Sequence, residues 1–275
     1  MPPEDFVEYF SVFEGFFPPL KDVNLPIHEA IDEFILSNTE TLRQTIEKDL
    51  SKEAIAMLIR LARGDRKIYS VYKKEDVSQL KGRLIYRQLF DEGIITIEKS
   101  REVLPYRDPR MALKKPLRSY TIQNKIHFSN QFTRFWFTFL AGNKDAHLHK
   151  KRILREFDAY ASLAFEQLSF ELLALHTQES EIINQGSYWD RRHEIDLLVT
   201  LKDGRVIAGE SKWKNRKVCK NVLTILQNKC QYANLSVDHF VLFSKSGFSK
   251  ELLRNEGEKL WLFDISSFER LRDDR

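Results

Sequence analysis

From Ile195 to Leu201 the chain is apolar or β-branched apart from Asp196, and from Val206 to Trp213 it alternates again, with Lys202-Asp203-Gly204-Arg205 between the two runs. An Asp-Gly pair flanked by such runs commits the stretch to a β-hairpin. Side chains alternate faces along a strand, so Glu210 and Lys212 project from one face of the second strand. The position of Asp196 depends on the loop. A two-residue turn at Asp203-Gly204 sets it opposite Ser211 and facing away, whereas a three-residue loop with Gly204 left-handed sets it opposite Glu210. The three-residue loop is the expected one.

Charged groups at facing positions of an otherwise apolar hairpin are costly unless paired or liganded. Magnesium is a hard ion that takes oxygen ligands. Asp196 and Glu210, with the carbonyl of Ser211 between the two functional positions of the second strand, form a donor set for Mg²⁺ or Mn²⁺ against a phosphate. Lys212 is placed to orient or help deprotonate an attacking water and to stabilise charge on phosphate oxygens. The expected chemistry is metal-dependent phosphodiester hydrolysis.

The surrounding elements predict a helix over 151–176, with Leu154, Phe157, Ala161, Ala164, Leu168 and Leu172 on its apolar face. A strand over 182–188, the hairpin, a helix over 217–233, a strand over 239–243, a short helix over 250–256 and a strand over 260–263 follow. The order α-β-β-β-α-β describes an α/β layer with a meander completed by a crossover. Trp189, His193 and Glu194 flank the hairpin as candidate substrate or supporting contacts. Trp213 is expected in the core.

Asp196 with Glu210-Ser211-Lys212 resembles the signature of the PD-(D/E)xK phosphodiesterase superfamily, although Ile195 stands where the signature proline would be. Arg134-Phe135-Trp136-Phe137, Ala164-Phe165-Glu166, Glu194-Ile195-Asp196-Leu197 and Glu210-Ser211-Lys212-Trp213 are similar to an uncharacterised domain, domain of unknown function 234, found after the ATPase module of a family of archaeal and bacterial ATPases. The resemblance covers about residues 130–265. It implies a restriction-endonuclease-like core over 151–275, catalytic roles for Glu166, Asp196, Glu210 and Lys212, and Glu166 as an additional metal ligand. From its own helix, whose Gln167, Ser169 and Glu171 are also polar, Glu166 reads equally well as a surface residue. The chain has no Gly-x-x-x-x-Gly-Lys-Ser/Thr, so an ATPase partner, which the resemblance suggests, would be a separate protein.

Before this core, amphipathic helices are predicted over 51–63, 67–72 and 76–92, the last with Val77, Leu80, Leu84 and Leu89 inward and Lys81, Arg83 and Arg87 outward. Strands over 94–97 and 120–122 bracket a proline-broken basic segment with Lys99, Arg101, Arg107, Arg110, Lys114, Lys115 and Arg118. Three helices, a strand, a basic loop and a strand describe a winged helix-turn-helix over 49–129. These ten cations are its candidate DNA contacts, and a protein-binding winged helix is the alternative. Residues 130–150 are expected to join the two domains, Arg134 to Leu140 forming an apolar seam. Over 1–48, the aromatic residues between Phe6 and Phe17 and a helix over 26–48 are expected to dock on the protein itself, with partner binding as the sharper alternative.

With 275 residues and 42% apolar residues, the chain can bury two cores. No run is long enough to span a membrane and no secretory signal is present. Cys219 and Cys230 fit a reducing compartment, so a cytoplasmic protein is expected. A net charge of +4 identifies no partner by itself. The reading is a magnesium-dependent DNA endonuclease positioned by a winged helix, with homodimerisation open. Its alternative is a non-catalytic DNA-binding regulator or adaptor that retains a nuclease fold.

Overall fold

A computed structural model describes residues 1–18, 20, 24–68, 71, 75, 77–102, 122–143 and 145–273. The helices are α1 (Pro3–Phe13), α2 (Ile27–Ala30), α3 (Thr39–Ile46), α4 (Lys52–Arg63), α5 (Gln79–Asp91), α6 (Gln131–Phe135), α7 (Ala146–Thr177), α8 (Lys220–Tyr232), α9 (Lys250–Leu253) and α10 (Arg270–Asp273). The strands are β1 (Ile95–Glu98), β2 (Lys125–Phe128), β3 (Ile182–Trp189), β4 (Glu194–Leu201), β5 (Val206–Lys212), β6 (His239–Ser244) and β7 (Leu260–Asp264). The class is mixed α/β, as expected. No helix among the described residues is long and apolar enough to cross a membrane.

The larger sheet runs in the order β3-β4-β5-β6-β7. Its first three strands form an antiparallel meander, and β6 and β7 join in parallel. The α-β-β-β-α-β succession predicted from residue 151 onward is therefore present. Packing on one sheet face unites Ala164, Phe165, Leu168 and Leu172 of α7 with Val199, Ile207, Val241 and Phe243. On the other face, Leu223, Leu226 and Cys230 of α8 meet Leu198, Ala208 and Leu242. Leu154, expected inward on α7, is 54% exposed.

The N-terminal half has its own core. Met57, Leu58 and Leu61 of α4, Ile85 and Leu89 of α5, and the fully buried Phe135, Trp136 and Phe137 pack together. Ser51 and Ser78 cap α4 and α5 by accepting from Ala54 and Lys81 N–H. In α5 the inward residues are Gly82, Ile85, Tyr86 and Leu89, while Leu80 and Leu84 point outward. The expected inward stripe is thus corrected by about one position of the helical wheel. The strand that pairs antiparallel to β1 among the described residues is Lys125–Phe128. Lys125 is buried and His127 half-buried in that strand, which hides its alternation from a hydropathy reading. Residues 120 and 121, and residues 69, 70 and 72 of the predicted helix over 67–72, lie outside the described residues.

The helix expected over 26–48 is broken into α2, a π-turn over Ile31–Ile35, a 3₁₀ turn over Leu36–Asn38 and α3. Its short polar side chains bond preceding carbonyls, Ser37 Oγ to Asp32 O (2.8 Å) among them, and such bonds compete with a regular ladder. The aromatic N-terminus docks on the protein itself. Tyr9 and Val12 of α1 enter the N-terminal core, while Val7 and Phe10 enter the core under α7. The residues after α6 form a π-turn over Trp136–Leu140, buried throughout. The connection ends sooner than expected, because α7 already begins at Ala146 and its Ile153, Phe157 and Tyr160 belong to the N-terminal core.

Candidate active site

The hairpin loop is the three-residue one. Leu201 N–H donates to Arg205 O (2.9 Å), Gly204 N–H donates to Leu201 O (3.0 Å), and Gly204 takes φ +87°. Only such a loop gives the observed pairs Leu197↔Gly209 and Thr200↔Val206, whose continuation sets Asp196 across from Glu210. Ser211 N–H donates to Asp196 Oδ2 at 3.0 Å and fixes that carboxylate. The three charged residues share strand parity with Leu198 and Ala208. They therefore extend the sheet face that α8 covers.

Lys212 Nζ lies 2.7 Å from Glu210 Oε1 and 3.7 Å from Asp196 Oδ2, and donates to Ser211 O at 3.2 Å. A second lysine, Lys229 of α8, grips both Glu210 oxygens at 3.2 and 3.0 Å. Sequence reasoning missed it. The available signal was its place beside Leu226 and Cys230, the inward residues of α8. Glu166 projects from α7 into a cleft of about 1000 Å³ that Asp196 also lines, with Arg66, Glu98 and His127 supplied by the N-terminal half.

Negative charge is crowded here. Burial first, then the Glu210 charge, pushes the Asp196 carboxyl above its ordinary range, against Lys212, Ser211 N–H and Lys229. Burial and the Asp196 charge push Glu166 up likewise, against Arg66 and Lys212. Burial pulls Lys212 down, but Asp196 and Glu210 outweigh it and hold the ammonium above the usual lysine range. Among the described residues no three His, Cys, Asp or Glu side chains already stand as a metal-holding group. The donor set nevertheless suits a hard divalent ion. It is all oxygen, it comes from two paired strands with Glu166 of α7 in the cleft that Asp196 lines, and its mutual repulsion is what a cation would relieve.

Other candidate residues lie elsewhere. Lys81 pairs with Glu53 (2.6 Å), Arg87 lies 3.8 Å from Asp91, and Arg83 and Lys99 are exposed. Arg101 is spent inside the molecule, donating to Ser187 O (3.0 Å) and Glu98 Oε1 (3.1 Å) and contacting the Gln185 carbonyl of β3. Arg107, Arg110, Lys114, Lys115 and Arg118 lie outside the described residues. Trp189 and Glu194 join the two halves: Trp189 Nε1 donates to Gln123 O (2.9 Å), and Glu194 pairs with Lys125. Trp213 is buried 5.2 Å from Phe165.

A family model described as archaeal and bacterial proteins of unknown function, DUF234, matches residues 121–223. The match spans β2 to the start of α8 and contains all four candidate catalytic residues. No curated protein matches the chain. Among solved structures, the chain is similar to "Crystal structure of protein VC1899 from Vibrio cholerae" at 13% identity and a TM-score of 0.29, with 100% of this chain and 56% of that one covered. The chain thus spans about half of that protein, and the superposition is too loose to carry an argument about fold.

Proposed function

We propose that the chain is a nuclease of the PD-(D/E)xK type, hydrolysing phosphodiester bonds of DNA with Mg²⁺ or Mn²⁺, in the cytoplasm. Its C-terminal half would be a restriction-endonuclease-like core and its N-terminal half a winged helix that positions the substrate. The observation that carries this reading is the hairpin register, which sets Asp196 across from Glu210 with Lys212 within 4 Å of both. Two carboxylates in direct opposition in an apolar hairpin cost folding energy that counter-charges or a ligand must offset, and such crowding is concentrated at functional sites.

Asp196, Glu210 and the Ser211 carbonyl would hold the metal, with Glu166 as an additional ligand. The ion, when bound, supplies Lewis acidity toward a phosphate oxygen and a more acidic water. Lys212, within 4 Å of both carboxylates, would orient or help deprotonate the attacking water and stabilise charge on the phosphate. On α5, the outward Lys81, Arg83 and Arg87, with Lys99 and the basic residues from Arg107 to Arg118, would contact DNA phosphates, each neutralised contact steepening the salt dependence by about one counterion. A homodimer and a separately encoded ATPase remain partners to look for by co-purification.

A second reading has one observation in its favour. Glu210 is already neutralised by two lysines, as in a DNA-binding scaffold that keeps the nuclease fold without cutting. Cleavage of linear, branched, single-stranded and supercoiled DNA with Mg²⁺, Mn²⁺ or chelator separates the two. Metal-dependent products that vanish in Asp196→Ala and Lys212→Ala are expected. Binding without cleavage under every condition overturns the nuclease in favour of the scaffold.

A further inference from the structure

The turn between β3 and β4 carries an aromatic surface beside the candidate site. The His193 ring stacks on Tyr232 of α8, with centroids 5.5 Å apart and planes 9° from parallel. His193 is not free to swing. Asp190 accepts from Arg192 N–H (2.5 Å) and His193 N–H (2.7 Å), and its second oxygen lies 3.1 Å from His193 Nδ1. The two rings overlap only in part, and Tyr232 stays 72% exposed. A largely solvent-exposed aromatic ring set against an anchored imidazole offers a stacking surface.

Its position links it to the chemistry. Tyr232 stands three residues beyond Lys229 on α8, so the two lie on one helix face with Cβ atoms roughly 5–6 Å apart. Lys229 Nζ is 3.0 Å from Glu210. Glu210, Lys229, Tyr232 and His193 therefore form a continuous line away from the carboxylate pair. Arg191 and Arg192, exposed in the same turn, add positive charge along it.

Resting on the nuclease reading, we infer that the Tyr232–His193 stack is a base-binding subsite, taking an unpaired nucleobase whose neighbouring phosphate meets Lys229. Within a duplex both faces of each base are covered by neighbours, so a stacking surface of this kind selects single strands, flaps or frayed ends. The recognition is tolerant of base identity because every base has a π-face.

The test uses the whole chain in chelator, with short single-stranded DNA, single-stranded RNA of the same sequence and a blunt hairpin duplex, each carrying 2-aminopurine. Binding is read by anisotropy and stacking by 2-aminopurine quenching. Single strands are expected to bind tighter than the duplex, and Tyr232→Ala to lose about tenfold in single-strand affinity together with the quenching. Tyr232→Phe, which keeps the ring, should retain both. The DNA and RNA arms show which sugar the subsite accepts. Equal affinity for strand and duplex with Tyr232→Ala unchanged, or no binding at all, overturns the subsite. Its fate is separable from that of catalysis. Quenching that depends on Tyr232 without any metal-dependent cleavage keeps the subsite and removes the nuclease, whereas duplex cleavage indifferent to Tyr232→Ala does the reverse.

Discussion

Asp196 opposes its own fold. Burial and the neighbouring Glu210 raise its pKa from the ordinary carboxylate value of 3.8. A raised acid costs nothing while it is protonated in both folded and unfolded chains, and the cost grows as pH climbs from that ordinary value through the folded one. Asp196→Asn keeps an oxygen for Ser211 N–H and removes the charge. The expected result is a stability gain at pH 8 on the order of 1 kcal/mol, read as a higher thermal midpoint, with no gain at pH 4 and loss of metal-dependent cleavage. A lowered midpoint at pH 8 would show that the aspartate serves the fold. Glu98 has the opposite sign. Burial pushes it up, but His127 (2.8 Å) and the Ser187 N–H (2.8 Å) and hydroxyl outweigh burial and hold it at about 2. Its contribution is full above pH 4.5 and disappears as pH falls toward 2. Glu98→Gln should therefore cost roughly 1–3 kcal/mol at pH 7 and flatten the pH dependence of urea unfolding on the acid side. An unchanged acid limb would remove Glu98 from the account.

The β4–β5 hairpin was legible because its signals agree: β-branched runs, an Asp-Gly turn and a charged trio at period two. Asp196 and Glu210 could be set opposite each other once the loop length was chosen, since register and face are coupled. What could not be read depends on contacts from distant parts of the chain. Lys125 makes β2 look polar, yet it is buried against Glu194 and lies 4.5 Å from the Trp189 ring, both far along the sequence. Lys229 looks like any surface lysine of α8 until Glu210 is beside it. In α5, Gly82 faces inward and gave no hydrophobic signal, so Leu80 and Leu84 were read as the buried stripe. Gly209 shows how tightly the site's own strand is packed. A Cβ there would meet Val241 Cγ1 at 2.6 Å, Val241 O at 3.2 Å and Leu197 Cβ at 3.2 Å. Neighbours on both sides, one of them backbone, leave no room to yield. Gly209→Ala is expected to lower stability by about 1–3 kcal/mol and, by shifting the adjacent Glu210, to weaken cleavage as well. Wild-type stability by urea denaturation would show that β5 can move after all.

Two helices tie the whole molecule together. α7 has 32 residues, about 48 Å at 1.5 Å per residue, and its first half packs into the N-terminal core while Ala161, Phe165 and Leu168 pack under the sheet. α1 does the same within less than two turns, with Tyr9 and Val12 in one core and Val7 and Phe10 in the other. Between them, Tyr160 Oη donates to Ser11 O (2.7 Å) and lies 3.2 Å from Gln131 O, and the buried Arg134 guanidinium donates to Tyr160 O at 3.2 and 3.3 Å. These bonds are shielded from water, and their loss would leave polar groups buried without partners. The halves should therefore unfold together although each has a core of its own. Near-ultraviolet circular dichroism and hydrogen exchange, following the two cores across a urea titration, are expected to give one coincident transition. Phe10→Ala removes a ring from the core under α7 and should lower that single midpoint by about 3 kcal/mol for both probes. If it instead split the transition, with exchange rising first around Phe165 and Leu168 while Trp136 and Phe137 stayed protected, α1 would be a local anchor, and the cleft that unites Arg66 and His127 with Glu166 and Asp196 would open independently of either core.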